Sequence, residues 1–248
     1  IADGTKFPIS NFGFPQLTLK ENLPTPHLSR QKKREIQMNK NKLQIFDRRS
    51  PVNVLGPYQR AVIWVQGCQF ACQNCIVPES WDKNGGEAME ISELANWILS
   101  QPEIEGVTFS GGEPMLQAEA LSAVIDKMKT KHNLGIMCYT GFRIEQLEDQ
   151  GTELQKALLN KIDILVDGVY IEKLHKDLLW RGSSNQRILA LSDRYQDYLR
   201  KKSDRSVGLE FFVKESAEVG FSGVPSQPKF RQEFESRMLQ KSVIVNPK

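Results

Sequence analysis

The sequence predicts an α/β fold built around a mainly parallel β-sheet. Short apolar segments of strand length alternate with segments in which apolar residues recur at helical spacing, which is the pattern of βαβ units. The apolar segments lack polar alternation, as expected for strands that are covered on both faces. Polar or glycine-rich residues directly follow four of them. Because functional groups gather at the carboxyl ends of parallel strands, we expect these residues to form one rim.

Five strands are predicted in the sheet, over residues 61–66, 106–110, 135–139, 163–166 and 187–191. The first helix, over residues 91–99, places four apolar residues on one face: Ile91, Leu94, Ala95 and Ile98. The second helix carries five: Leu116, Ala120, Leu121, Val124 and Met128. The helical stretch after Arg143 breaks at Gly151, where Thr152 and Gln155 form a capping box that opens another helix.

The two ends of the chain differ from this core. Residues 1–37 show no sustained period, so we interpret residues 1–52 as a basic, poorly ordered extension and residues 53–191 as the core. The C-terminal extension, residues 192–248, is predicted to begin with a helix, which a β-hairpin follows (208–214 and 218–224). A closing helix follows over residues 229–241.

The composition of the 248-residue chain is that of an ordinary globular protein, with 40% hydrophobic and 25% charged residues. No apolar run is long enough for a membrane span, and no secretory signal is visible, so we expect no membrane partner. Residues 1–60 hold 11 Lys and Arg against 4 Asp and Glu. We interpret this basic segment as a solvated lead-in, and contact with nucleic acid is the less favoured alternative.

Three of the four cysteines lie within eight residues, as Cys68, Cys72 and Cys75. This packing does not resemble a disulfide framework and favours thiolates kept reduced in a cytoplasmic protein. Three thiolates on one loop can ligate three corners of a cubane cluster and leave the fourth iron open to a substrate. The remaining cysteine, Cys138, lies within an apolar strand and is predicted to be a core thiol.

Other classes of site remain as alternatives for this loop. A zinc module needs four ligands, and the chain has three histidines, of which His132 is the nearest downstream. An iron-sulfur carrier would close the fourth corner with another cysteine. A thioredoxin-type motif would not include the third cysteine.

A second motif, Ser110-Gly111-Gly112-Glu113-Pro114, ends the second predicted strand. Two glycines at a strand end let the backbone approach a ligand closely. With the cysteine loop one strand earlier, this motif resembles the pattern of radical S-adenosylmethionine (SAM) enzymes. The resemblance implies a partial (β/α) barrel, here with a C-terminal β-hairpin and helix, and a [4Fe–4S] cluster that cleaves SAM reductively to a 5′-deoxyadenosyl radical.

The resemblance also assigns roles to individual residues. It makes Cys68, Cys72 and Cys75 the cluster ligands and has Ser110, Gly111, Gly112 and Glu113 line the SAM pocket. Asn74 and Ile76 would lie beside adenine, although many family members have an aromatic residue at the position of Asn74. Thr140 and Asp167 would contact the SAM ribose or carboxylate, with loop capping as the alternative.

Within this family the chain resembles the activating enzyme of anaerobic ribonucleoside-triphosphate reductase and other short glycyl-radical-enzyme activases. The most distinctive likeness is the run 181–187, in which five residues would bind SAM or a partner unless the run is a solvated loop: Arg181, Ser183, Ser184, Asn185 and Arg187. The resemblance implies a glycyl radical enzyme as partner and a flavodoxin or ferredoxin as electron donor.

The chain departs from these activases by continuing for about 60 residues beyond Arg187. This tail would close the barrel or reshape the side where the substrate enters. A radical SAM enzyme acting on a small molecule, nucleoside or peptide is therefore the alternative. An iron-sulfur carrier or a zinc-binding module is the alternative of another class.

Overall fold

The computed structural model describes residues 41–213 and 218–243. Its strands are β1 (Lys42–Val52), β2 (Arg60–Val65), β3 (Glu87–Glu90), β4 (Gly106–Gly111), β5 (Gly135–Thr140), β6 (Ile164–Asp167), β7 (His175–Leu178), β8 (Arg181–Ser183), β9 (Arg187–Ala190), β10 (Leu209–Val213) and β11 (Val219–Gly223). Its α-helices are α1 (Ile91–Leu99), α2 (Ala118–Lys129), α3 (Ile144–Gln150), α4 (Glu153–Leu159), α5 (Gln196–Lys201) and α6 (Phe230–Leu239).

A seven-stranded mixed sheet with the order β3-β1-β2-β4-β5-β6-β9 forms the centre of the protein. The neighbours β2, β4, β5 and β6 are parallel, as the sequence predicted, so their carboxyl ends lie at one edge. The fifth predicted strand, β9, instead pairs antiparallel with β6. The segment between β6 and β9 contains the small β7–β8 ladder and no α-helix to carry the chain back across the sheet.

The strand β1 corrects the prediction of a poorly ordered segment over residues 1–52. It pairs antiparallel with β2 on one side and with β3 on the other. Leu43 and Ile45 point into the core, while charged residues such as Arg48 and Arg49 are partly exposed. Residues 42–52 are therefore a strand with one buried face, despite the basic composition of this part of the chain. Residues 1–40 lie outside the described residues.

The helices follow the predicted periodicity closely. The four predicted apolar residues of α1 are buried, and the capping box at Thr152 and Gln155 opens α4 as expected. Leu116 is the exception, because it is 47% exposed and belongs to a 3₁₀ turn over Pro114–Gln117. The Glu113 side chain caps that turn, so the α-helix begins only at Ala118 and Leu116 falls outside its buried face.

Most of the core lies between the sheet and helices α1, α2 and α4. Cys138 is fully buried within it, which confirms the prediction of a core thiol, and burial raises its pKa well above the ordinary value. No helix in residues 41–213 or 218–243 combines the length and the apolar character that crossing a bilayer requires.

Arg60 ties the amino-terminal ends of the parallel strands together from inside the core. Its fully buried guanidinium donates to the carbonyls of Val107 and Gly135, at 2.7 and 2.9 Å, and to the Thr108 hydroxyl at 2.7 Å. Gly106 leaves space for this side chain, because a Cβ at that position would lie 2.4 Å from Arg60 Nη1. The charge is thus dispersed over several hydrogen bonds at the edge opposite the rim.

The C-terminal extension forms the predicted helix, hairpin and closing helix, as α5, β10–β11 and α6. Strands β10 and β11 pair antiparallel, and helix α6 packs on them through four aromatic rings: Phe211, Phe221, Phe230 and Phe234. Two contacts attach the hairpin to the core. The Glu210 carboxylate accepts hydrogen bonds from the backbone and side chain of Asn53, and the Arg49 guanidinium lies 3.4 Å from the ring centroid of Phe212.

Replacing Arg60 with leucine is expected to lower the free energy of unfolding by about 3 kcal/mol or more. The change removes the donors that satisfy buried carbonyls on β4 and β5. Urea denaturation of the metal-free chain measures the effect, and Arg200→Leu, at a side chain that is 73% exposed, is the control. A loss of less than about 0.5 kcal/mol at Arg60 would contradict this account.

Candidate metal centre

The cysteine loop begins where β2 ends, at the shared edge of the parallel strands. Gly67, with φ of 94°, turns the chain, and the amides of Gly67 and Cys68 donate to the carbonyls of Ser80 and Trp81, at 2.8 and 3.1 Å. Ala71 and Asn74 adopt left-handed conformations, with φ of 46° and 56°. Asparagine tolerates this conformation better than an aromatic residue does, which accounts for its presence at position 74.

The thiols of Cys68, Cys72 and Cys75 are half-buried and lie close enough together to interact electrostatically. Burial raises the pKa of Cys68 and of Cys72, and the neighbouring thiols raise it further. Amide groups near the sulfurs oppose this effect, and the Val77 amide also lies 3.5 Å from the Cys75 sulfur. Three clustered thiols, two of them with raised pKa values, need a metal to hold them as thiolates, so this donor set fits an iron-sulfur cluster.

No group of three or more His, Cys, Asp and Glu side chains is arranged to hold a single metal ion in the part of the chain that the structure describes. A cubane cluster makes a different demand, because each cysteine binds a different iron. The sulfurs therefore do not have to converge on one point.

The Gly-Gly-Glu-Pro motif lies directly against the cysteine loop. The Gly112 amide donates to the carbonyl of Val65 and the Glu113 amide to that of Gly67, both at 2.8 Å. A Cβ on Gly112 would lie 2.3 Å from the Gly67 oxygen, and Gly111 adopts φ of 91°. The two motifs that the sequence singled out thus share backbone hydrogen bonds, and the glycines permit this contact.

Glu113 holds the rim together rather than facing open space. Its carboxylate is 1% exposed and accepts hydrogen bonds from the Thr140 hydroxyl at 2.8 Å, the Gly141 amide at 2.8 Å and the Met115 amide at 2.9 Å. These bonds connect the carboxyl end of β4 to that of β5. Burial raises the pKa of Glu113 to about 7, despite the hydrogen bonds that favour the charged form.

Asp167 is a second buried carboxylate with several hydrogen-bond donors, and it lies at the end of β6. It accepts hydrogen bonds from the Arg143 guanidinium at 3.0 Å, the Ile144 amide at 3.0 Å and Arg187 Nε at 2.9 Å. Burial opposes ionisation, but these donors hold the pKa of Asp167 below its usual range. Asp167 thus makes the loop-capping contacts that the sequence analysis gave as the alternative to a contact with SAM.

The run 181–187 is ordered by bonds to the rest of the protein. Arg181 pairs with Asp204, and Arg187 also makes two bonds of 2.8 Å to the Glu145 carboxylate. The Ser183 hydroxyl accepts from the Ile171 amide at 3.1 Å, the Ser184 amide donates to the Leu174 carbonyl at 2.9 Å, and Asn185 Nδ2 donates to the Val169 carbonyl at 2.8 Å. These contacts make the run a structured part of the rim.

A cavity of about 500 Å³ opens beside the cysteine loop. Six of the predicted site residues line it: Cys72, Cys75, Asn74, Ile76, Ser110 and Gly111. The others do not line it: Cys68, Gly112, Glu113, Thr140, Asp167, Arg181, Ser183, Ser184, Asn185 and Arg187. The volume lies within the range of pockets that bind one cofactor-sized molecule.

Sequence reasoning missed several cavity residues, which carry no local motif. Among the described residues, nine buried side-chain nitrogen and oxygen atoms lack a hydrogen-bond partner, and four of them belong to the lining of this cavity. These are the polar atoms of Tyr139, His175, Trp180 and Ser222. The cavity borders Cys72 and Cys75 and is lined by charged and neutral polar side chains, among them Gln186, Lys229 and Glu235, so the site also fits a polar cofactor such as SAM.

The C-terminal extension supplies one wall of the cavity and is bonded to the cysteine loop. The Arg231 guanidinium donates to the Ile76 carbonyl at 2.9 Å and pairs with Glu79 and Glu235. Burial opposes its charge, yet the two carboxylates raise the pKa of Arg231. Gln232 Nε2 donates to Asn74 Oδ1 at 2.8 Å. The residue that departs from the family pattern is thus a contact of this extension.

Replacing Glu113 with glutamine is expected to flatten the pH dependence of stability. The pKa of Glu113 in the folded protein, about 7, exceeds the ordinary 4.5, so the stabilising neutral form is fully present below about pH 4.5 and is lost as the pH rises through 7. Urea denaturation of both metal-free proteins across this window measures the difference, which should shift in favour of the variant as the pH rises. Parallel pH profiles would contradict the assignment.

Replacing Gly112 with alanine is expected to separate the cysteine loop from β4, because the new methyl group would overlap the Gly67 carbonyl. We expect a stability loss of about 1–3 kcal/mol and a lower iron content after anaerobic reconstitution. Gly208→Ala is the control for iron loading, since alanine is strained at its φ of 88° but a Cβ there meets nothing within 4 Å. Full iron loading of Gly112→Ala would refute the structural role of this contact.

A protein-family profile described as "4Fe-4S single cluster domain" matches residues 54–189, which include the cysteine loop and the rim. The crystal structure of QueE from Escherichia coli aligns with 40% of this chain and 53% of its own, at 17% identity and a TM-score of 0.34. That likeness is too low to inform the fold.

Curated relatives are named "Anaerobic ribonucleoside-triphosphate reductase-activating protein". The protein from Enterobacteria phage T4 is 32% identical over 155 residues, which are 60% of this chain and 95% of the relative. The Haemophilus influenzae protein is 33% identical over 147 residues (56% and 92%), and the Vibrio cholerae protein is 36% identical over 148 residues (56% and 92%). The chain therefore belongs to the 4Fe-4S single cluster domain family, as a member of the anaerobic ribonucleoside-triphosphate reductase-activating proteins.

Proposed function

We propose that this protein is a radical SAM activase that generates a glycyl radical on an anaerobic ribonucleotide reductase. The observation that carries the proposal is the hydrogen-bonded contact between the three-cysteine loop and the Gly-Gly turn, beside one cavity at the ends of parallel strands. The names of the relatives supply the partner. A partial barrel, with the sheet curving around this cavity, is part of the proposal.

The cofactors of this family define the chemistry of the site. A [4Fe–4S] cluster with bound SAM supplies one-electron cleavage of the sulfonium bond and a carbon radical that takes a hydrogen atom from glycine Cα. For this chain, we propose Cys68, Cys72 and Cys75 as the ligands of three irons. The amides around their sulfurs would stabilise the thiolates and tune the potential of the cluster.

We assign the binding of SAM to the residues of the rim and the loop. Ser110 and Gly111 line the cavity from the end of β4, and Asn74 and Ile76 line it from the cysteine loop. Glu113, Thr140 and Asp167 make hydrogen bonds within the protein, so we propose that they position this rim around SAM. Gly112 acts with them by keeping β4 against the loop.

The run 181–187 is proposed to serve the same pocket by shaping its floor. Gln186 lines the cavity and accepts hydrogen bonds from the amides of Gly182 and Ser183, at 3.0 and 3.1 Å. Arg181, Ser183, Ser184, Asn185 and Arg187 hold this floor in place through the contacts described above.

The supply of electrons is also part of the proposal. One cluster delivers one electron at a time, so an external donor such as a flavodoxin or ferredoxin must reduce it again. Reduced thiols and low-potential carriers are typical of the cytoplasm, which we propose as the location.

Replacing Cys68, Cys72 or Cys75 with alanine is expected to abolish SAM cleavage, because two thiolates do not hold the cluster with its open iron. The assay is anaerobic reconstitution, followed by iron analysis and chromatography of 5′-deoxyadenosine. Cys138→Ala is the matched control, since this buried thiol should cost only stability, at most about 1–2 kcal/mol.

The partner is tested by mixing the reconstituted protein, SAM and reductant with the anaerobic reductase. Electron paramagnetic resonance should then show a glycyl radical on the reductase. Cleavage of SAM at the wild-type rate by Cys72→Ala would overturn the cluster assignment. SAM cleavage without a glycyl signal would leave the chemistry standing and reject the partner.

A further inference from the structure

The backbone carbonyl that follows the third cysteine of the loop is held by the C-terminal helix. Arg231 Nη1 on α6 donates to the Ile76 carbonyl at 2.9 Å. Two carboxylates fix the same guanidinium, because Nη1 lies 2.8 Å from Glu79 Oε2 and Nε lies 2.6 Å from Glu235 Oε1. Only 13% of the Arg231 side chain is exposed, so water competes little for these bonds. The carbonyl thus has a charged donor in one defined position.

The opposite side of the same peptide group faces the sulfur of Cys75. The Ile76 carbonyl and the Val77 amide belong to one peptide bond, which is planar and trans, so its C=O and N–H point in opposite directions. The Val77 amide donates to Cys75 Sγ at 3.5 Å. A bond from Arg231 to the carbonyl therefore fixes the direction of the N–H and polarises it towards the sulfur. The guanidinium reaches the cysteine through this peptide.

Hydrogen bonds to the sulfurs are among the factors that set the reduction potential of an iron-sulfur cluster. The reduced cluster carries one more negative charge than the oxidised one, so an N–H donor stabilises the reduced form more. Holding the Val77 amide on Cys75 is thus expected to raise the potential. This step rests on the proposed function, because it takes Cys75 as a ligand of the cluster.

We propose that Arg231 is a positioning residue that raises the reduction potential of the cluster by holding the Ile76–Val77 peptide against Cys75. Arg231 lies outside residues 54–189 that match the family profile, so the C-terminal extension adds this control to the shared core. The neighbouring Gln232 donates to a different part of the loop, and four aromatic rings pack α6 on its hairpin. Changing Arg231 therefore tests the peptide while these other contacts keep the helix in place.

The test compares Arg231→Met, which removes the donor and the charge, with Arg231→Lys, which keeps the charge and lacks the planar fork. The lysine ammonium is expected to pair with Glu79 and Glu235 and to leave the Ile76 carbonyl. A reductive titration followed by electron paramagnetic resonance, without SAM, measures the potential of the reconstituted full-length proteins. We expect both variants to disfavour the reduced cluster about tenfold, which lowers a one-electron potential by about 59 mV. Arg237→Met, at an exposed residue on the last turn of α6, is the matched control and should keep the wild-type potential.

The hydrogen bond itself is detected by pulsed electron paramagnetic resonance of the reduced cluster, in protein whose valines carry nitrogen-15. The wild-type protein should show a hyperfine coupling to the Val77 nitrogen. Val77→Ile assigns that signal, because it removes the label and keeps the amide. Arg231→Lys should weaken the coupling, which a change of charge alone would not do.

A lower potential in Arg231→Met, with Arg231→Lys at the wild-type value, would overturn the proposal by assigning the effect to charge. Unchanged potentials in both variants would overturn it as well. If Arg231→Met does not retain a cluster, the potential and the hyperfine coupling of Arg231→Lys decide in the same way. An unchanged iron content and potential in Cys75→Ala would instead reject the proposed cluster ligands, and this inference with them.

Discussion

The arrangement of the site depends on two hydrogen bonds between the ends of neighbouring parallel strands. The amides of Gly112 and Glu113 donate to the carbonyls of Val65 and Gly67, and so place the cysteine loop beside the Gly-Gly turn. The contact is too close for a side chain at position 112. Because the backbone makes these bonds, the sheet itself determines where the loop begins.

The polar residues of the rim divide into two groups with different tasks. Glu113 and Asp167 are buried and use their carboxylates to join the end of one element to the next. Ser110 and Gln186 line the cavity instead. A buried carboxylate that already has several donors gains little from a ligand, so Glu113 and Asp167 are suited to positioning the rim. Contact with a ligand is left to the residues that line the cavity.

The sequence was informative where local chemistry determines structure. The four parallel strands, the break at Gly151, the hairpin and the cysteine loop each follow from periodicity or spacing within a few residues. Prediction failed where contacts between distant residues determine the structure. The segment β1 is a strand because β2 and β3 pair with it on either side. The strand β9 runs antiparallel to β6 because no helix carries the chain back across the sheet between them. Likewise, the motif around Asp167 indicated a polar strand end, but only the fold brings Arg143 and Arg187 to it.

The extension shows why a departure from a family pattern can carry structural meaning. Asn74 suits a left-handed turn, and its side-chain oxygen accepts from Gln232 on α6, far along the chain. On the same helix, Arg231 bonds the Ile76 carbonyl and pairs with Glu79, so one helix is attached to both sides of the third cysteine. Charge-assisted bonds of this kind are strong when partly buried, and Arg231 is only 13% exposed. Displacing the extension would thus break contacts of the cysteine loop, which couples access to the cavity with the surroundings of the cluster ligands.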